Sequence, residues 1–210
     1  SITVLHGRNI VLEGYDFAPS FSIWTTIEEC LNPPVHWEDG RGWYTTPPLT
    51  GEIDFEFPEE IGTISCIDVE HEEVLLMPRK IDAEKVSFKY GLGDQFISTL
   101  KTIHMLGFDK KEEVEVHGVK ISPRELLVSS LPDPATLGDK MKGKTCAGVL
   151  VEGYDHEDNY IKKYLYNIVD NQWSMREYGD QAVVYQTALC PVIALELISR
   201  KIWEPSGVIG

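Results

Sequence analysis

Residues 70–74, EHEEV, set one imidazole among three carboxylates. On an extended segment side chains alternate, so His71 converges with Glu73, or Glu70 with Glu72, on a shared partner. A metal ion needs more ligands than one such pair. The other histidines, His6, His36, His104, His117 and His156, are scattered, and no metal is expected. His71 suits a hydrogen-bond donor at a strand end beside a ligand; a solvated turn accounts for it equally. Upstream, Trp24, Thr25, Thr26, Glu28 and Glu29 crowd one helix start. Free N–H groups and hydroxyls there would receive a substrate carboxylate, and Glu28 or Glu29 would hold a substrate ammonium. Capping alone explains the same residues, since Thr25 with Glu28 and Thr26 with Glu29 each match a capping box. Arg79, Arg124 and Arg176 are candidates for bidentate carboxylate binding. Arg79 follows the apolar LLMP, and Arg176 is flanked by Trp173 and Tyr178. Arg124 falls in a helix first turn, where a surface role is expected, and a surface ion pair is the alternative for all three.

The elements that must hold these groups read as follows. Residues 20–32 suit a helix, with Ser22, Thr25 or Thr26 as its cap and Pro33-Pro34 as its stop. VHWE-DGRG-WYTT is a hairpin about Asp39-Gly40. Residues 63–70 and 85–93 are strands. Residues 94–106 form a helix ended by Gly107, with Phe96, Leu100 and Ile103 on its apolar stripe. EEVEVHGVK turns at Gly118, and SPRELLVSSL is a helix capped by Ser122. TCAGVLVEGYD and NYIKKYLYNIVD form a long hairpin, in which Cys146 is a small buried residue. Residues 182–200 are the most apolar helix, kinked by Pro191. The first residues, SITVLHGRNIVLEG, read as two short strands about HGRN. Some seven strands and four main helices point to an α+β fold, a mixed, largely antiparallel sheet with helices on one face. The other face needs a cover, for which a second subunit is expected.

Of 210 residues, 19 are basic and 34 acidic, a formal charge of −15. Nucleic acid and anionic membranes are poor partners for that surface. The four cysteines, Cys30, Cys66, Cys146 and Cys190, lie far apart, which favours free thiols in a reducing cytoplasm over a disulfide framework. No apolar run is expected to reach the roughly 20 residues of a membrane helix. No G-x-G-x-x-G, P-loop, H-E-x-x-H or G-x-S-x-G is present. YGLGD reads as a strand-to-helix turn. Both ends have the character of cuts in a longer protein.

FSIWTTIEECLNPPVHWEDGRGWYTTPPL, VEHEEVLLMPRKI, KVSFKYGLGDQFISTLKTIHMLG, LPDPATLGDKMKGKTCAGVLVEG and VVYQTALCPVIALELISRKIWEPSGVIG occur in this order. Together they resemble the saccharopine dehydrogenase family, which includes lysine 6-dehydrogenases and carboxynorspermidine dehydrogenases. The resemblance runs from about Gly14 to Gly210 and covers the second domain only. It implies a fold shaped like the second domain of glyceraldehyde-3-phosphate dehydrogenase. It also implies that residues 1–210 are a substrate-binding and dimerisation domain whose Rossmann partner is absent from this chain. The implied reaction is hydride transfer between NAD or NADP and a secondary amine or imine. The cofactor would be held mainly by the missing domain and not by this fragment. Where fungal saccharopine reductases carry an arginine for a substrate carboxylate, this chain has Thr26. With Thr25 and Glu28, that change implies a substrate bearing a free amino group.

The expectation is therefore a domain that binds an amino-acid-derived amine through Trp24, Thr25, Thr26, Glu28, His71, Arg79 and Arg176. It would belong to a cytoplasmic, homodimeric oxidoreductase that binds neither nucleic acid nor membrane. Two rivals stand beside it: a non-catalytic dimerisation or ligand-sensing module of the same fold, and a metal-dependent hydrolase built on EHEE.

Overall fold

The computed structural model of the chain describes residues 1–15, 17 and 20–206. Strand β1 (Ile2–Arg8) lies in the middle of the main sheet. It pairs antiparallel with β11 (Lys144–Tyr154) and parallel with β7 (Lys85–Gly91). The expected long hairpin forms: β11 pairs antiparallel with β12 (Tyr160–Asp170). Beyond β7 the sheet forks. The start of β7 pairs with β3 (Val35–Glu38), which turns at Asp39-Gly40 into β4 (Gly42–Thr45). The end of β7 pairs with β6 (Gly62–Asp68), itself paired with β5 (Ile53–Phe57). Among the described strands of this eight-stranded sheet only β1 and β7 run parallel, so the sheet is mixed and largely antiparallel, as expected.

Two minor pairs lie outside it, β2 (Val11–Leu12) with β10 (Met141–Lys142) and β8 (Val114–Val116) with β9 (Val119–Ile121). The two strands expected about HGRN are therefore corrected. β1 runs through His6, Gly7 and Arg8, and β2 pairs elsewhere.

Alternation in β1 sends Val4, His6 and Arg8 to one face and Leu5 and Gly7 to the other. The first face carries the larger core, built with Val86 and Phe88 of β7. Helices α1 (Ile23–Leu31), α2 (Glu73–Leu76), α3 (Asp94–Leu106) and α4 (Pro123–Ser130) cover it. Ser22 caps α1, its Oγ accepting from the Thr25 N–H at 3.3 Å. Gly107 ends α3 in the left-handed region at φ 74°, where glycine carries no Cβ penalty.

The second face is covered in part by the chain's own β5–β6 hairpin. Phe57 reaches under β1 and β7, where a Cβ on Gly7 would stand 2.3 Å from the phenyl ring. The two glycines, Gly7 and Gly91, make room for that ring, and Leu5, Cys66, Cys146 and Leu150 close a second small core around it.

Near the C-terminus, α5 (Asn171–Tyr178) is a helix that the residue pattern did not announce. The buried Asn171 amide donates to the carbonyls of Gly138 and Met141 at 2.9 and 3.0 Å. Its oxygen accepts the first N–H of α6 (Ala182–Ser199) at 3.0 Å. Gln186 fixes α6 to the sheet, its Oε1 accepting from Thr145 at 2.6 Å and its amide donating to Asn167 O at 2.9 Å. Most of α6 stays exposed, including Val192, Ile193 and Leu195. By length and composition its 18 residues are apolar enough to cross a membrane, at a mean hydropathy of 1.6. That corrects the expectation from run length: single polar residues such as Gln186 and Glu196 interrupt the run without lowering its average below that of a spanning helix.

Candidate functional site

Several elements bring polar side chains together on the helix-bearing face, at the far end of the β1/β7 pair. His6 comes from β1, Tyr90 from β7, Glu29 from α1, and His71 and Glu73 from the entry to α2. One backbone and one side-chain bond hold the segments together: Glu70 N–H donates to Glu29 O at 2.9 Å, and Asn32 Nδ2 donates to the Glu70 carboxylate at 2.8 Å. The His71 ring lies flat on Phe88, centroids 4.1 Å apart and planes 5° apart. His6 meets the same phenyl edge-on at 4.8 Å and stands 6.3 Å from His71. His71 Nδ1 donates to the Glu73 carboxylate, and Glu72 lies 3.3 Å from the same nitrogen.

The charge states follow from these contacts. Burial pushes the His6 imidazole down to about 4, and the neighbouring His71 lowers it further against the pull of Glu73. His71 goes the other way. Burial opposes its charge, but the hydrogen bond to Glu73 and the carboxylates of Glu73, Glu72 and Glu29 raise it above the usual histidine range. Burial pushes the Glu73 carboxyl up, but the hydrogen bond and charge of His71, with its own backbone bond and the nearby His6, together hold it below its ordinary value. Burial pushes Glu29 up to about 7; Glu72, Glu73 and Glu70 add to the rise and His71 opposes it. Glu29 therefore exchanges a proton near neutrality beside a fixed imidazolium–carboxylate pair, the condition for general acid–base work. The surplus of carboxylates around one imidazolium also attracts a protonated amine. Ligand atoms of His71, Glu72 and Glu73 come within 4.8 Å of one another. A histidine whose proton Glu73 stabilises is a poor metal ligand.

Next to this cluster, an open cavity of about 420 Å³ lies where β1 and β7 end and α3 begins. Arg8, Ser20, Asp94, Phe96, Phe17 and Met141 are among its walls. Arg8 Nη1 donates to Ser20 Oγ, and its guanidinium sits 5.2 Å from the Phe96 ring centre.

The residues singled out from sequence are dispersed. His71 falls within the polar cluster. Glu28, one position from Glu29, points away from it to Lys111 and Arg124, which respectively bond it and lie at 3.4 Å. The bond from Lys111 holds the Glu28 carboxyl below its usual range. Trp24 packs against the same pair, 5.6 Å from the Lys111 ammonium and 5.0 Å from the Arg124 guanidinium. Thr25 lends its N–H to the Ser22 cap, and Thr26 is buried with its hydroxyl donating to Ser22 O at 3.0 Å. Arg79 lies past the far end of α2, lining a separate cavity of about 280 Å³ with Trp37 and Asp39. Arg176 is exposed on α5 and paired with Glu177 at 2.9 Å. Arg124, expected at the surface, is buried: it bonds Asp109 O at 2.6 Å because Trp24 and α1 close over it. His6, Arg8 and Tyr90 were missed, whereas the convergence of His71 with Glu73 was expected and forms. Period-two alternation through ITVLHGR would have placed His6 and Arg8 on the core face with Val4.

The chain belongs to the saccharopine dehydrogenase C-terminal domain family, whose pattern it matches over residues 5–210. It is similar to the carboxynorspermidine synthase of Vibrio alginolyticus, 28% identical over 199 residues, covering 94% of this chain and 47% of that protein. It is also similar to the carboxyaminopropylagmatine dehydrogenase of Synechocystis, 28% identical over 199 residues, covering 94% of this chain and 49% of that one. The chain thus spans about half the length of the curated relatives it matches. Among solved structures, apo saccharopine dehydrogenase (L-Glu forming) from Saccharomyces cerevisiae shares the fold, with a TM-score of 0.62 and 12% identity over 100% of this chain and 60% of that one.

Proposed function

We propose that this chain is the substrate-binding and dimerising part of an NAD(P)-dependent oxidoreductase acting on the C–N bond of an amino-acid-derived amine. The observation that carries the reading is the Glu29–His71–Glu73 cluster in a chain of this family. Its excess negative charge suits a protonated amine, and Glu29 can take or return a proton at the nitrogen near neutral pH. The named activities of the relatives, on carboxynorspermidine and carboxyaminopropylagmatine, favour a substrate with both amine and carboxylate.

The chain's own residues do not fit a dinucleotide. One parallel strand pair does not make a doubly wound sheet, and in YGLGD, Gly91 is buried over Phe57 where no phosphate reaches. Nucleotide binding is therefore assigned to sequence outside these residues. The exposed apolar surface of α6 and β12 is assigned to a second copy. The likeness to the second domain of glyceraldehyde-3-phosphate dehydrogenase belongs to the same reading, as does a cytoplasmic location, which four unpaired cysteines suit.

The test is turnover by the full-length protein of saccharopine, lysine and carboxynorspermidine with NAD and NADP. Glu29→Gln is expected to lower kcat by about 10²-fold to 10⁴-fold. No turnover on any such amine, or micromolar NADH binding by residues 1–210 alone, would overturn the proposal.

A further inference from the structure

We propose that the cavity at the ends of β1 and β7 is an amino-acid subsite, in which Arg8 receives a carboxylate and Asp94 the neighbouring ammonium. The inference rests on the reading of the site as one for an amino-acid-derived amine, and adds where the charged end of that molecule sits.

Arg8 and Asp94 are the two charged side chains among the described walls of the cavity. They form no ion pair with each other, and no carboxylate of a described residue lies within ion-pair distance of Arg8. Arg8 is half-buried, and its recorded partners are neutral: the Ser20 hydroxyl and the Phe96 ring. A guanidinium held that way keeps a fork of donors for a carboxylate while its plane is fixed by the aromatic ring. Asp94 is exposed at the first turn of α3, a helix whose start at Gly93 carries no side-chain cap. An α-amino carboxylate presents both charges within one bond of each other's carbon, so one cation and one anion in one small cavity match it better than they match a simple anion. The remaining wall, with Phe17, Phe96 and Met141, is apolar and suits the methylene stem.

Tyr90 connects this subsite to the acid–base cluster. Burial raises its phenol above the usual range; the Arg8 charge opposes that rise, and Cys30 and Glu29 add to it. Tyr90 stands opposite His6 in the parallel pair, with the rings 6.4 Å apart, and both sites lie toward the end of β1 and β7 from which Arg8 and Asp94 follow.

The experiment titrates the full-length protein with L-lysine, 6-aminohexanoate and cadaverine, followed by calorimetry, and repeats it on Arg8→Gln, Arg8→Lys and Asp94→Asn. Wild type is expected to bind in the order L-lysine, 6-aminohexanoate, cadaverine. Arg8→Gln should weaken L-lysine and 6-aminohexanoate tenfold or more and leave cadaverine unchanged; Arg8→Lys should restore part of the loss. Asp94→Asn, at an exposed position that leaves packing intact, should weaken L-lysine alone. The inference is overturned if no probe binds, if Arg8→Gln weakens all three equally, or if a folded Arg8→Gln binds L-lysine as wild type does. Turnover separates this from the broader proposal. Unchanged KM for an amine substrate in Arg8→Gln sinks the subsite and leaves the oxidoreductase reading intact; Arg8-dependent lysine binding without any turnover does the reverse.

Discussion

His71 and Glu73 fix each other's charge, and the consequence falls on Glu29. A carboxyl raised to about 7 is protonated in the folded chain at pH values where the unfolded chain has already released its proton. Its contribution is full below the ordinary carboxylate range, and the fold loses it as pH rises from about 4.5 toward 7. His6, depressed to about 4, works in the opposite direction, withdrawing stability as pH falls from about 6.5. Glu29→Gln should remove the first slope and leave the second. The variant should then gain on wild type between pH 5 and pH 8 by about 1–2 kcal/mol, a figure reduced for the partial exposure of the group. Urea unfolding across that range checks it, and a difference that stays flat with pH would contradict the assignment. Glu28 makes a useful contrast. Removing it leaves Arg124 buried without its carboxylate, so Glu28→Ala should destabilise by about 1–2 kcal/mol. Lys111→Ala, at an exposed bond, should cost under about 1 kcal/mol. At this scale the sequence was only half legible. The residue types crowding α1 were conspicuous, but neighbours on a helix point about 100° apart, and only the packed structure shows that Glu29 turns toward His71 and Glu28 toward Arg124.

Among the elements, the β5–β6 hairpin depends on two missing side chains. Gly7→Ala should cost about 1–3 kcal/mol, because a methyl there meets the Phe57 ring in a closed core. Phe57→Leu in the same chain should recover part of that loss, and thermal unfolding of the double variant is the check. If Gly7→Ala is neutral, the hairpin does not lie over β1. Element positions were well marked wherever a terminator stood in the sequence. Gly107 stopped α3, Ser122-Pro123 opened α4, and Asp39-Gly40 turned β3 into β4. α5 escaped because its residues NQWSMREY show no clear apolar stripe; the helix is set by Asp170 at its cap, accepting from Trp173 N–H at 2.8 Å, and by the buried Asn171. The cleft escaped for a different reason: Arg8, Ser20 and Asp94 come from separate segments that only the parallel β1/β7 pair brings side by side.

For the molecule as a whole, the surface of α6 and β12 is the exposed apolar area that the proposed dimer must cover. Leu195 is 67% exposed and Leu165 is 68% exposed, so charge at either position should barely change the stability of an isolated copy. If the second copy sits there, Leu165→Glu with Leu195→Glu should convert a dimer to a monomer in sedimentation velocity at unchanged secondary structure. A wild type that is already monomeric at high concentration would refute the assignment. The sheet order has a further effect, on how the molecule is made. Leu5 finds its neighbour in Gly148 and its other flank in Lys89. During synthesis, the central strand leaves the ribosome with neither edge satisfied and must wait for some 140 further residues. At roughly 5–20 residues per second that interval lasts many seconds, during which the edge that β11 will occupy has no native partner.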